Sequence, residues 1–170
     1  MKLRLFGCVN DSIVDGPGLR YSIFVQGCYH NCLGCHNPES HDVNGGYLKD
    51  IEEILKEIDE NPLLDGVTLS GGEPMLQVEA LIELSKEIKK RNLNIVLYSG
   101  YTYEQIINDV NKKRLLELCD MLVDGKFELE NYNEQTDNRL TLKRKSGIEK
   151  NLPAYTQGNL SSETIEIECE

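Results

Sequence analysis

No window of this sequence approaches the roughly 20 uninterrupted apolar residues of a membrane-spanning helix, so a soluble chain is expected. The opening stretch, MKLRLFGC, also lacks the apolar run of a signal peptide, because charge interrupts Leu3 and Leu5; a cytoplasmic location is expected. Positive charge is scarce. Eighteen Lys and Arg stand against 29 Asp and Glu, a formal charge of -11 that would repel a phosphate backbone. Nucleic acid is therefore not an expected partner, and neither is a membrane. The single basic cluster, Lys143-Arg144-Lys145, reads as a solvated hairpin end. Repeats, low-complexity tracts and linker-like segments are missing too, so one domain spanning residues 1–170 is expected, with 39% hydrophobic residues to build its core.

What is present is an alternation. YSIFV (21–25), GVTLS (66–70), NIVLYS (94–99) and DMLVD (120–124) have the length and apolar content of buried strands. Between them, DIEEILKEIDE places Ile51, Ile54, Leu55 and Ile58 at helical spacing, with Asp50 and Glu53 as a start signal. Pro74 to Arg91 predicts a second helix with Leu81, Leu84 and Ile88 on one face and Lys89, Lys90 and Arg91 at its end. A third is expected to open on a Thr102-x-x-Gln105 capping box and to carry Ile106, Ile107 and Val110. Strand and helix in turn predict an α/β fold with a mostly parallel sheet. Beyond Lys126 the pattern loosens into ELENYNEQTDN, an expected loop, and then RLTLKRKSG and TIEIECE, which alternate like short, half-exposed strands. Periodicity leaves a partial barrel and a doubly wound sheet both open; in either, ligands collect at the carboxyl ends of the strands.

Unusual residues follow each predicted strand. The first is followed by QGCYHNCLGCHNPE, in which Cys28, Cys32 and Cys35 form a C-x-x-x-C-x-x-C run. The second runs into Gly71-Gly72-Glu73-Pro74, the third into Ser99-Gly100 and the fourth into Gly125-Lys126. In a reducing compartment the six cysteines are better metal ligands or plain thiols than disulfides, and Cys119, in LLELCDMLV, reads as a small buried hydrophobe. Three clustered cysteines suit two kinds of centre. Zinc would take a fourth ligand, which His30 or His36 could supply. A four-iron cluster would keep one iron open for a further ligand.

The spacing of Cys28, Cys32 and Cys35, with Gly71-Gly72-Glu73-Pro74 after the next strand, is similar to the radical S-adenosylmethionine enzymes. IVDGPGLR (13–20), FVQGCYHNCLGCHNPE (24–39) and YSGYTYEQI (98–106) resemble the glycyl-radical-enzyme activases, above all those acting on anaerobic ribonucleotide reductase; the likeness covers about residues 10 to 130. The resemblance implies a single-domain partial (β/α) barrel with helices outside. It implies a [4Fe-4S] cluster on Cys28, Cys32 and Cys35, with S-adenosylmethionine on the fourth iron. It also implies cofactor contacts at Gly71, Gly72, Glu73, Pro74, Ser99, Asp124 and Lys126, with Glu73 meeting the ammonium group and Lys126 the carboxylate. Arg20 would lie near the incoming peptide. The implied reaction is reductive cleavage of S-adenosylmethionine and removal of a hydrogen atom from a glycine of the reductase. A flavodoxin- or ferredoxin-type protein would donate the electron.

Two departures stand out. Gly34 replaces the aromatic that many of these enzymes carry before the last cysteine, which leaves Tyr29 and His36 as candidates for packing on adenine. After Glu130 the basic, serine-rich segment of the reductase activases is replaced by NEQTD, and only NRL at 138–140 matches. The alternatives are activation of another glycyl radical enzyme of the pyruvate formate-lyase type, a small-substrate enzyme such as 7-carboxy-7-deazaguanine synthase, and a non-catalytic zinc module.

Overall fold

The computed structural model describes residues 1–127. In chain order they form β1 (Lys2–Ser12), β2 (Arg20–Val25), β3 (Tyr47–Asp50), α1 (Ile51–Asp59), β4 (Gly66–Gly71), α2 (Val78–Lys90), β5 (Asn94–Tyr98), α3 (Tyr103–Ile107), α4 (Val110–Leu116) and β6 (Met121–Val123). All strands join one sheet in the order β3-β1-β2-β4-β5-β6. The four strands predicted from apolar runs are β2, β4, β5 and β6, and they pair in parallel. Each is added on the same side of its predecessor. A doubly wound sheet would reverse that order, so the topology is the one that curls into a partial barrel.

Strands β1 and β3 were not foreseen as strands. β1 pairs antiparallel with both β2 and β3 and buries Leu3 and Leu5 completely. The same Leu3 and Leu5 alternation that argues against a signal peptide is the period of a half-buried strand.

Alternation sorts the sheet into two faces. Tyr21, Ile23, Val25, Val67, Leu69, Ile95, Leu97 and Leu122 share one core with Ile54, Leu81, Leu84 and Ile88 of the helices. Burying each such aliphatic side chain contributes about 1.5–3 kcal/mol. The intervening positions line the other face, which is largely polar: Arg20, Ser22 and Thr68 are buried there, beside a small apolar pair of Val96 and Val123.

Three expected helices differ in detail. Asp50 precedes α1 but makes no side-chain cap; its carboxylate faces Lys2 at 3.5 Å, and no capping box with Glu53 forms. The helix predicted from Pro74 begins as a 3-10 turn, Pro74–Leu76, and breaks at Gln77 (φ -123°, ψ 39°). Gln77 is held outside helical geometry by tertiary bonds: it accepts from Arg4 N at 2.8 Å and donates to Arg4 O and Gln26 O. The Thr102 capping box forms as expected, but α3 ends at Ile107. Asp109 then caps a separate helix through Asn111 N and Lys112 N, which leaves Val110 76% exposed rather than in the core. Among the described residues no helix is long and apolar enough to cross a membrane. Lys143-Arg144-Lys145, Cys169, NRL, the expected loop of 128–138 and the strands expected after it lie outside the described residues.

Candidate iron-sulfur site

Parallel pairing of β2, β4, β5 and β6 delivers their carboxyl-terminal loops to one edge of the sheet. Those loops are stitched together. Gly72 N donates to Val25 O at 2.8 Å, Glu73 N to Gly27 O at 2.8 Å and Gly125 N to Tyr101 O at 3.1 Å. A Cβ at Gly71 (φ +100°) would sit 2.4 Å from Val25 N, and one at Gly72 would sit 2.4 Å from Gly27 O. The glycine pair is thus required for backbone to lie against backbone, which presses the turn after β4 onto the base of the cysteine loop.

Glu73 is the centre of the edge. Its side chain is 1% exposed and gathers four groups. Oε1 accepts from Met75 N and Ser99 Oγ, both at 2.9 Å. Oε2 accepts from Gly100 N at 2.8 Å and lies 2.7 Å from His30 Nε2. One carboxylate therefore joins three of the four loops. His30 packs edge-on to Tyr101, and Gly100 lacks a side chain where a Cβ would come 2.4 Å from the His30 ring.

The cysteine loop leaves and rejoins the sheet through a closed neck. Buried Gln26 donates from Nε2 to Glu39 O at 3.0 Å and Asp42 O at 2.7 Å. Gly27 N donates to Ser40 O at 2.7 Å and Cys28 N to His41 O at 3.1 Å. Inside the loop, Cys35 N donates to Cys32 O at 3.2 Å, and Gly34 takes φ +74°, a left-handed position that an aromatic residue occupies only at a cost. Cys28, Cys32 and Cys35 are all half-buried free thiols. Burial, chiefly, pushes the Cys28 thiol up, and Glu73, Cys32 and Cys35 add to that against a hydrogen bond from the His30 backbone.

Residues 14–146 match the family described as a 4Fe-4S single cluster domain, more than half of the chain. The chain belongs to that family. Over 133 residues it is 35% identical to the anaerobic ribonucleoside-triphosphate reductase-activating protein of Vibrio cholerae serotype O1, covering 74% of this chain and 82% of the relative. The protein of the same description from Haemophilus influenzae is 33% identical over 138 residues, covering 75% and 84%. Pyruvate formate-lyase 1-activating enzyme of Escherichia coli K12 is 33% identical over 135 residues, covering 75% of this chain and 52% of the relative.

The donor set of this 4Fe-4S family member fits such a cluster. Cys28, Cys32 and Cys35 are half-buried free thiols held on one loop, and cysteine thiolates are the ligands that such a cluster takes. Of the two histidines considered as zinc ligands, His30 engages Glu73 and His36 packs its ring against Phe127.

The other expected site residues divide into two groups. Pro74 and Ser99 are buried under the edge. Asp124 accepts from Tyr103 N at 2.6 Å, while Lys126, Tyr29 and His36 are exposed around it. Arg20 is not at this edge. It begins β2, at the opposite end of the strands, roughly 17 Å away by strand rise. Fully buried rather than on the surface, its guanidinium donates to Thr68 Oγ1 at 2.6 Å, Val67 O at 2.7 Å and Pro17 O at 2.9 Å, clamping the 15–17 segment to the sheet.

Sequence reasoning missed the joining role of His30, the fit of Gly100 against it, and Gln26 and His41 at the neck. Gln26 carries one local signal, a polar residue directly after a run of apolar ones. The rest depend on contacts across many residues.

Proposed function

We propose that this protein is a glycyl-radical-enzyme activase that cleaves S-adenosylmethionine reductively and takes a hydrogen atom from a glycine of anaerobic ribonucleoside-triphosphate reductase. The observation that carries the reading is the trio of half-buried thiols on one loop at the carboxyl edge of the parallel strands, tied through His30 to Glu73. When bound, the [4Fe-4S] cluster supplies the electron for that cleavage and an open iron for the amino and carboxylate groups of S-adenosylmethionine.

The chain's own residues do the rest. Cys28, Cys32 and Cys35 would hold three irons. Gly71, Gly72 and Pro74 form the turn beside which the methionine end would lie. Glu73, with its oxygens occupied by four donors, works as a positioning residue: it holds Ser99, Gly100 and His30 in one register. Lys126 is exposed at the same edge and suits the cofactor carboxylate, with Asp124 fixing the start of α3 beside it. Tyr29 and His36 are the rings available to adenine. Arg20 serves the fold through its bonds to Pro17, Val67 and Thr68. The reductive half needs a flavodoxin- or ferredoxin-type donor. A cytoplasmic location suits thiols kept free.

The test is electron resonance of anaerobically reconstituted, reduced protein with S-adenosylmethionine. A glycine-centred doublet that forms only when the reductase is added supports the reading; cofactor cleavage with no radical on the reductase defeats it. The identity to pyruvate formate-lyase 1-activating enzyme favours a second reading, with that lyase as partner. The same measurement with the lyase in place of the reductase separates the two.

A further inference from the structure

His41 lies outside the cysteine run, yet it touches two of the three cysteines. Its carbonyl accepts from Cys28 N at 3.1 Å, and its Nε2 stands 3.3 Å from Cys35 Sγ. The residue cannot drift, because its own N–H donates to Pro38 O at 3.2 Å and its neighbours Ser40 and Asp42 accept from Gly27 N and Gln26 Nε2. His41 is thus fixed from both sides in the neck of the loop, with the half-buried imidazole pointing inward at sulfur.

Resting on the activase reading, we propose that His41 is a positioning residue for the cluster, donating Nε2–H to the iron-bound Cys35 thiolate and raising the reduction potential of the cluster. An iron-bound thiolate has no proton, so the ring must be the donor, through Nε2–H. Reduction adds negative charge that spreads onto the sulfurs. A donor aimed at one of them stabilises the reduced state more than the oxidised one. The effect falls on Cys35, whose sulfur is the one that Nε2 faces. His41 would therefore make the cluster easier for a given donor to reduce, without touching S-adenosylmethionine.

The experiment compares full-length wild type, His41→Leu and His41→Gln, each reconstituted anaerobically without partner or S-adenosylmethionine. Iron content is measured first, then the midpoint potential by electron-resonance-monitored titration. The expected result is unchanged iron with a midpoint shifted to more negative potential in His41→Leu and a smaller shift in His41→Gln, which keeps an N–H donor. Wild-type potentials in both variants overturn the proposal. Should His41→Leu fail to hold iron, the decision passes to protein carrying nitrogen-15 histidine. There the reduced wild-type cluster should show a histidine nitrogen coupling that His41→Gln loses. No coupling, or one that survives in His41→Gln, overturns it. A cluster that forms in all three while the potentials stay equal defeats this inference alone; wild type that assembles no cluster defeats the activase reading with it.

Discussion

His30 Nε2 stands 2.7 Å from Glu73 Oε2, so the cysteine loop and the turn after β4 share one buried carboxylate. The two residues are 43 apart in sequence, and the side chain of Glu73 is 1% exposed. Replacing it by alanine strands His30, Ser99, Gly100 N and Met75 N together. Glu73→Ala should cost about 3–5 kcal/mol in denaturant titration, with Glu73→Gln costing clearly less because its amide oxygen keeps an acceptor in place. Equal losses would contradict the role given to the carboxylate.

Gly100 tests the same junction from the other side. A Cβ there would lie 2.4 Å from His30 Cδ2 and 2.6 Å from Nε2, so the ring must leave Glu73. Gly100→Ala should lose about 1–3 kcal/mol. Alkylation of Cys28 in the cluster-free protein should quicken as the loop loosens, and an unchanged rate would show that the loop stands without this contact.

Cys32 is half-buried, and its removal takes little from the core. Cys32→Ala should melt within a few degrees of wild type and retain no intact cluster on reconstitution. Full iron content in that variant would contradict its assignment as a ligand.

Arg20 is predicted to matter for folding and not for the cluster. Arg20→Ala leaves Val67 O and Thr68 Oγ1 without their buried donor and removes the bond to Pro17 O. The loss should be about 2–4 kcal/mol, with Arg20→Lys recovering part of it and iron content per folded chain unchanged. Loss of iron at unchanged stability would contradict this assignment to the fold.

Stability should also fall in acid through Glu57. Burial would push its carboxyl up, but hydrogen bonds from Lys49 and Tyr21, with the charge of Lys49, hold it below the usual carboxylate range. A depressed folded value means that this stability is present above the unfolded value of about 4.3 and is lost as pH falls through the lower folded one. Denaturation midpoints measured from about pH 6 to about pH 3 should therefore decline less steeply in Glu57→Gln than in wild type.

The parallel strands were legible because each is a short run rich in apolar residues, with Tyr21, Ile23, Val25, Val67 and Leu69 at alternate positions filling the core, and the helices because one face in 3.6 residues must be apolar. Ile51, Ile54, Leu55 and Ile58 all lie in the core, as their spacing requires. The helix interrupted at Gln77 was not legible, since its break comes from hydrogen bonds to Arg4 and Gln26, far away in sequence. Nor was the burial of Arg20, because a lone arginine in sequence defaults to the surface, and only the carbonyls of Pro17 and Val67 with the Thr68 hydroxyl make an interior place for it.

By itself the sequence determined the alternation of strand and helix and the local cysteine run, since both depend on neighbours within a few residues. Tertiary structure alone decided that strands add on one side only, that Glu73 serves three loops, and that His41 reaches Cys35. Those contacts arise when parallel pairing brings distant loops to one edge, and a one-dimensional period carries no record of which edge residues will meet.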